Sequence, residues 1–264
     1  MVTMLASPKP TQAYAPAARR RTTVVFMARW WSEERLRRLR GARYADDGPV
    51  LVALLSGRQL EEVLQLAGDA VGRAAADQVA GAAELAEEFA RALDQRGWEG
   101  DQELAEQLRG VLGHVPAPLL HPLPVDLEEL SDLLEGDPAW GGGAVDLVTG
   151  ECRHGGLDSW EDDEDEVDEE DGDRWLPVVC QGSREGYRDM EEFIAVLDDA
   201  RFAELLEVAI AGPGAFRRFK DVLARDEEQS RRYYLFAGER QAGRARSWLA
   251  EHGYCPAVSA VEPL

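Results

Sequence analysis

Residues 143–154 read Gly-Ala-Val-Asp-Leu-Val-Thr-Gly-Glu-Cys-Arg-His, and they decide the fold class. Upstream, apolar residues recur at the three-and-four spacing of helices buried along one side. Here the period changes. Ala144 to Val148 and Glu151 to His154 flank Thr149-Gly150, a two-residue connection suited to a tight β-hairpin. Trp175 to Cys180 has strand character and is expected to return to the hairpin as a third strand. The chain then becomes helical again. Tyr187, Met190, Phe193, Ile194 and Leu197 share one face, and Phe202, Leu205, Leu206, Ala209 and Ile210 share another. Gly212-Pro213-Gly214 breaks the chain before helices expected over 215–223, 227–237 and 240–252.

Working back from the hairpin, Asp126 opens a short helix with Leu127, Leu130, Leu133 and Leu134 as its apolar face. Before it, Pro116, Pro118, Pro122 and Pro124 fall within nine residues and push their neighbours toward extended geometry. Earlier still, amphipathic stretches over 33–40, 59–71 and 79–96, and one that Asp101 is expected to cap, read as a helical bundle. The apolar run 49–55 is too short to classify by period. The expected fold is α+β and predominantly helical: a small antiparallel three-strand sheet packed with C-terminal helices and preceded by an N-terminal helical bundle. The corresponding divisions are 1–32, a disordered basic tail or a mis-assigned start with Met27 as the true one; 33–113, the bundle; 114–125, a proline-rich linker; 126–256, the α+β part; and 257–264, a tail.

Charge is distributed unevenly along the 264 residues. Against 51 acids stand 29 Lys and Arg, a net charge of −22, and residues 158–173 carry twelve acids and no base. With Trp160 and Val167 as its only large apolar residues, that stretch cannot bury enough surface to offset chain entropy, so a disordered insertion is expected. The net charge argues against generic binding to nucleic acid or an anionic membrane, but the C-terminal helices taken alone are nearly neutral. Three cysteines are too few for a disulfide framework, and no run reaches the length of a membrane span. A cytoplasmic protein without a membrane role is expected. The 27 arginines against two lysines point to a GC-rich bacterial coding sequence.

Four stretches, in order, carry a resemblance: 144–151 (AVDLVTGE), 175–177 (WLP), 187–193 (YRDMEEF) and 214–223 (GAFRRFKDVL), with Trp248-Leu249 and Gly253-Tyr254 closing the series. They resemble successive motifs of uncharacterised protein family 0158, a bacterial family without an assigned activity. The resemblance covers roughly residues 125–256, about half the chain. Pro213 departs from the polar or basic residue usual before the glycine of the fourth motif and stiffens that turn. The resemblance implies a shared domain and supplies no catalytic residues.

The residue types that carry chemistry give one anion-binding hypothesis. Gly214 opens a helix whose free N–H groups face Arg217, Arg218 and Lys220 in its first two turns. Arg240 and Arg244 extend this into a basic strip; they are four apart with like charge, an arrangement that asks for an anion nearby. Phe216 and Phe219 fall at core spacing. Cys152 with His154, and His252 with Cys255, are ligand types for zinc, but nothing in the sequence brings the pairs together, and no metal or cofactor is expected. The solvated acids of 158–173 lack the burial that tunes a catalytic pair, and the four histidines complete no nucleophile–base arrangement. The expectation is a non-catalytic protein-interaction or regulatory module with an unidentified protein partner. The alternative is a nucleic-acid-associated module that uses the basic strip and is regulated by the acidic segment.

Overall fold

The computed structural model describes residues 31–116, 118–136, 142–155 and 174–257. The acidic stretch 158–173 and the first thirty residues lie outside them. Five helices come first: α1 (Glu33–Tyr44), α2 (Gly48–Leu55), α3 (Leu64–Ala76), α4 (Ala82–Arg96) and α5 (Asp101–Val111). Their apolar faces close on one core that includes Leu39, Leu55, Val63, Leu64, Val71, Phe89, Leu93 and Leu104. The run left unclassified by period is α2; Asp47 caps it by accepting from the Val50 N–H at 3.1 Å. Trp31 also belongs to this core: its ring is buried and its indole N–H donates to the Gln59 carbonyl at 3.1 Å.

Strand β1 (His121–Leu123) and helix α6 (Leu127–Glu135) follow, then β2 (Gly143–Asp146), β3 (Cys152–His154) and β4 (Trp175–Val178). The three strands form an antiparallel sheet in the order β3-β2-β4, with Val145 opposite both Cys152 and Leu176. The hairpin and its returning third strand are therefore present, and the predominantly helical α+β class holds. Its turn is longer than two residues. Asp146 and Glu151 still pair, and Asp146 ties the intervening loop by accepting from the Val148 N–H at 2.8 Å.

The C-terminal half contains α7 (Arg184–Ala195), α8 (Ala200–Ile210), α9 (Ala215–Leu223), α10 (Glu227–Glu251) and β5 (Tyr254–Pro256). Met190, Phe193, Leu206 and Phe219 form a second core with Tyr233 and Ala237 of α10. A third joins Leu123, Leu130, Leu133, Val145 and Val178 to Ala245 and Leu249 of α10. Two expectations are corrected here. The helices read as 227–237 and 240–252 are one helix of 25 residues, which passes through Gly238. The proline-rich stretch contains β1, which pairs in parallel with β5, Pro122 opposite Cys255; a two-stranded ribbon leaves each strand a free edge, where a missing N–H is tolerated.

Helix α10 lies against the α4–α5 connection at backbone distance. A Cβ on Gly243 would collide with the Glu99 carbonyl oxygen, and one on Gly100, itself at φ +79°, would collide with the Gly243 carbonyl. Gly238, five residues earlier on the same helix, has open space around it. Gly243→Ala is expected to lower stability by roughly 1–3 kcal/mol through overpacking, and Gly238→Ala to raise it by about 0.5–1 kcal/mol through helix propensity. Urea unfolding of the two variants checks this; equal effects would contradict the close approach.

Candidate functional site

The densest polar chemistry sits along α10. The Glu239 carboxylate accepts from the backbone N–H groups of Gln65 and Leu66 at 2.8 and 2.7 Å, and so caps α3, whose own N-cap residue Val63 has no side chain able to do so. Arg96 donates to the same carboxylate at 2.7 Å and makes a two-pronged pair with Asp101 at 2.7 and 2.9 Å. Asp101 was expected to cap α5. It instead turns back to Arg96 and to the Trp98 N–H, and Gly100 stands at the N-cap position. Burial disfavours the Arg96 charge, but the bonds to Asp101 and Glu239 outweigh it and hold its pKa above the ordinary arginine value.

Two turns on, Arg246 is almost fully buried. It grips Asp69 with two bonds of 2.8 and 2.9 Å and reaches the Gln65 and Gln107 side-chain oxygens at 2.9 and 3.2 Å. On another side of the helix, Asp189 of α7 accepts from both Arg240 (2.5 Å) and Arg244 (2.8 Å), and Glu135 of α6 accepts from Arg244 at 2.5 Å. Trp98 lies beneath two guanidinium groups, Arg96 at 4.4 Å and Arg240 at 5.2 Å from its ring centre. Asp146 is a separate case. Burial works against its charge, yet Arg174 and the Val148 and Thr149 N–H groups bring its pKa down to about 2.

The structure does not gather the six predicted anion-binding residues into one face. Arg240 and Arg244 have found their anion inside the protein, in Asp189 and Glu135. Arg218 folds back onto the carbonyls of Ala209 (2.9 Å), Ala211 (2.7 Å) and Pro213, closing the C-terminus of α8 with a cation. Gly214 stands at the N-cap of α9 with φ +76°, and Arg217 and Lys220 are exposed on that helix. Of the five cations in the strip, only these two face solvent freely. Phe219 is fully buried and Phe216 packs beside it, as core spacing predicted.

Cys152 and His154 lie on β3, whereas His252 stacks on Trp248 at the end of α10. No group of three or more His, Cys, Asp or Glu side chains able to hold a metal occurs among the described residues. Burial pushes the Cys152 thiol up to about 12, helped by Glu129 and Asp126, and burial also raises Cys255; both are therefore thiols rather than thiolates at neutral pH. A cavity of about 250 Å³ bounded by Gln107, Leu120, Pro122, Arg246, Tyr254 and Cys255 has mainly apolar walls.

Sequence reasoning missed one surface feature. Arg35 and Arg38 of α1 and Arg58 just beyond α2 rim a groove of about 270 Å³ whose floor is Val50, Ala53 and Leu54. All three arginines are exposed, and none makes an ion pair with a described residue. The i, i+3 spacing of Arg35 and Arg38 was the only signal available in the sequence. No helix among the described residues is long and apolar enough to cross a membrane. No protein-family model, curated protein or solved structure matches the chain.

Two outcomes follow from the buried charges. Glu239→Leu removes one of the two carboxylates that hold the buried Arg96 and uncaps α3, so it is expected to cost about 3–5 kcal/mol in urea unfolding; a loss under about 1 kcal/mol would contradict the role given to this carboxylate. Burial, opposed by the Trp31 N–H and Arg232, lifts Glu62 from 4.5 to about 7. Its folded form then holds the proton more tightly than the unfolded chain, so stability falls as pH rises through that window. Glu62→Gln should therefore raise the melting temperature more at pH 8 than at pH 5. An equal gain at both values would contradict it.

Proposed function

We propose that the protein is a non-catalytic interaction module of a bacterial cytoplasm, engaging a protein partner through the groove between α1 and α2. The observation that carries this reading is the contrast between two sets of arginines. Arg96, Arg240, Arg244 and Arg246 are each satisfied by carboxylates of the chain itself. Arg35, Arg38 and Arg58 surround an apolar floor and make no ion pair with a described residue. Arginine around a small apolar patch is the composition that protein interfaces favour. The protonated state of Cys152 and Cys255 and the internal pairing of the buried carboxylates support the same reading, since these groups serve stability. Membership of residues 125–256 in the family they resemble is likewise proposed, and it adds no site residues.

The test is capture from native lysate of the source bacterium with the full chain and with an Arg35→Glu/Arg38→Glu/Arg58→Glu variant. A stoichiometric protein partner is expected with the native chain, its yield falling roughly tenfold in the variant, the scale of losing a few surface ion pairs. Absence of any stoichiometric partner, or equal recovery by the variant, would contradict the proposal.

A further inference from the structure

We infer that the groove between α1 and α2 takes an acidic peptide segment with an aliphatic side chain between its carboxylates. The inference rests on the reading of this groove as the interaction surface and names the chemistry of what enters it. Three features of the surface lead to that chemistry.

The first is charge. Residues 33–58 hold six arginines against four acids, in a chain whose net charge is −22. Two of those acids are already engaged, Glu33 with Arg37 and Asp46 with Arg73, and Asp47 is occupied in capping α2. Of the five remaining arginines, Arg35, Arg38, Arg40, Arg43 and Arg58, three rim the groove: Arg35, Arg38 and Arg58.

The second is the geometry that arginine prefers. A guanidinium offers parallel N–H donors that match the two oxygens of a carboxylate. The same chain shows this pairing at Arg96–Asp101, Arg174–Asp146, Arg244–Asp189 and Arg246–Asp69. Carboxylates brought by a partner would complete on the surface the pairing that the interior already uses.

The third is the floor. Val50, Ala53 and Leu54 lie between the three arginines and offer apolar contact and no donors. An aliphatic side chain placed between two acids covers them and excludes water from the ion pairs around it. A nucleic-acid backbone has no group to place there, and no aromatic side chain lines the groove to stack a base.

The test is fluorescence anisotropy of the full chain at low salt with three labelled probes: a short peptide alternating Glu with Leu, the same peptide with Ser in place of Leu, and an oligothymidylate of equal charge. The Glu–Leu peptide is expected to bind best and to weaken as salt is raised. Its affinity should fall roughly tenfold in Arg35→Ala/Arg38→Ala/Arg58→Ala, as expected for three exposed ion pairs. Ala53→Glu, which places a like charge on the floor and leaves every arginine in place, should reduce it as well. Circular dichroism of both variants controls for folding. Oligothymidylate binding as tight as that of the Glu–Leu peptide, equal binding of the Ser peptide, or indifference to the arginine variant would overturn the inference. So would the absence of peptide binding at low salt. In that last case, a lysate capture that still depends on the three arginines leaves the interaction surface standing with another partner chemistry, and a capture indifferent to them removes both.

Discussion

A carboxylate at the middle of α10 accepts two backbone N–H groups from the start of α3 and a guanidinium from the end of α4. Glu239 thus meets the helix-capping need of an element more than 170 positions away in sequence. A buried carboxylate is stable only if its partners are all in place, and so is a buried guanidinium. The placement of α10 therefore constrains α3, α4 and α5 together. With Gly243 against the Glu99 carbonyl, the helix has almost no freedom to slide. The remaining architecture is arranged along it: Tyr233 and Ala237 complete the core of α7–α9, and Ala245 and Leu249 complete the core beneath the sheet.

This use of charge separates the arginines by role. Inside, the guanidinium groups of Arg96, Arg240, Arg244 and Arg246 are held by carboxylates and amides, and removing one member exposes the others to a medium that cannot solvate them. Arg240 and Arg244 extend the logic, since one carboxylate, Asp189, serves both and so turns a like-charge pair into a bridge between α10 and α7. At the α1–α2 groove the same side-chain type rims an apolar floor in water. The structural role and the proposed interaction role are thus distinguished by burial and partners, which residue type alone does not reveal.

Local patterns made much of the fold legible. The change from helical to alternating period at Gly143, the faces of α4, α7 and α8, and the core positions of Phe216 and Phe219 all depend on neighbours in sequence, and the structure places them as read apart from Leu205 of α8, which is exposed. What could not be read depends on distant partners. α10 looked broken at Gly238 because its buried side there is Glu239, Gly243, Arg244 and Arg246, which breaks any apolar period. The β1–β5 pairing joins strands of three residues each, too short to register as a pattern. The like charges at Arg240 and Arg244 did ask for an anion, but the sequence could not say that Asp189 and Glu135 would supply it from within. That is why Arg240 and Arg244 leave the expected basic strip for internal bridges.

The charged faces of α10 make the N-terminal helices and the C-terminal cores one cooperative structure. Native-state hydrogen exchange measures this directly, through the opening free energies of the slowest amides in α3 and α4 and in α7 and α9. A common opening free energy for both sets, falling together with added denaturant, is the predicted result. Opening of α3 and α4 at markedly lower free energy, while α7, α9 and α10 stay protected, would contradict the account.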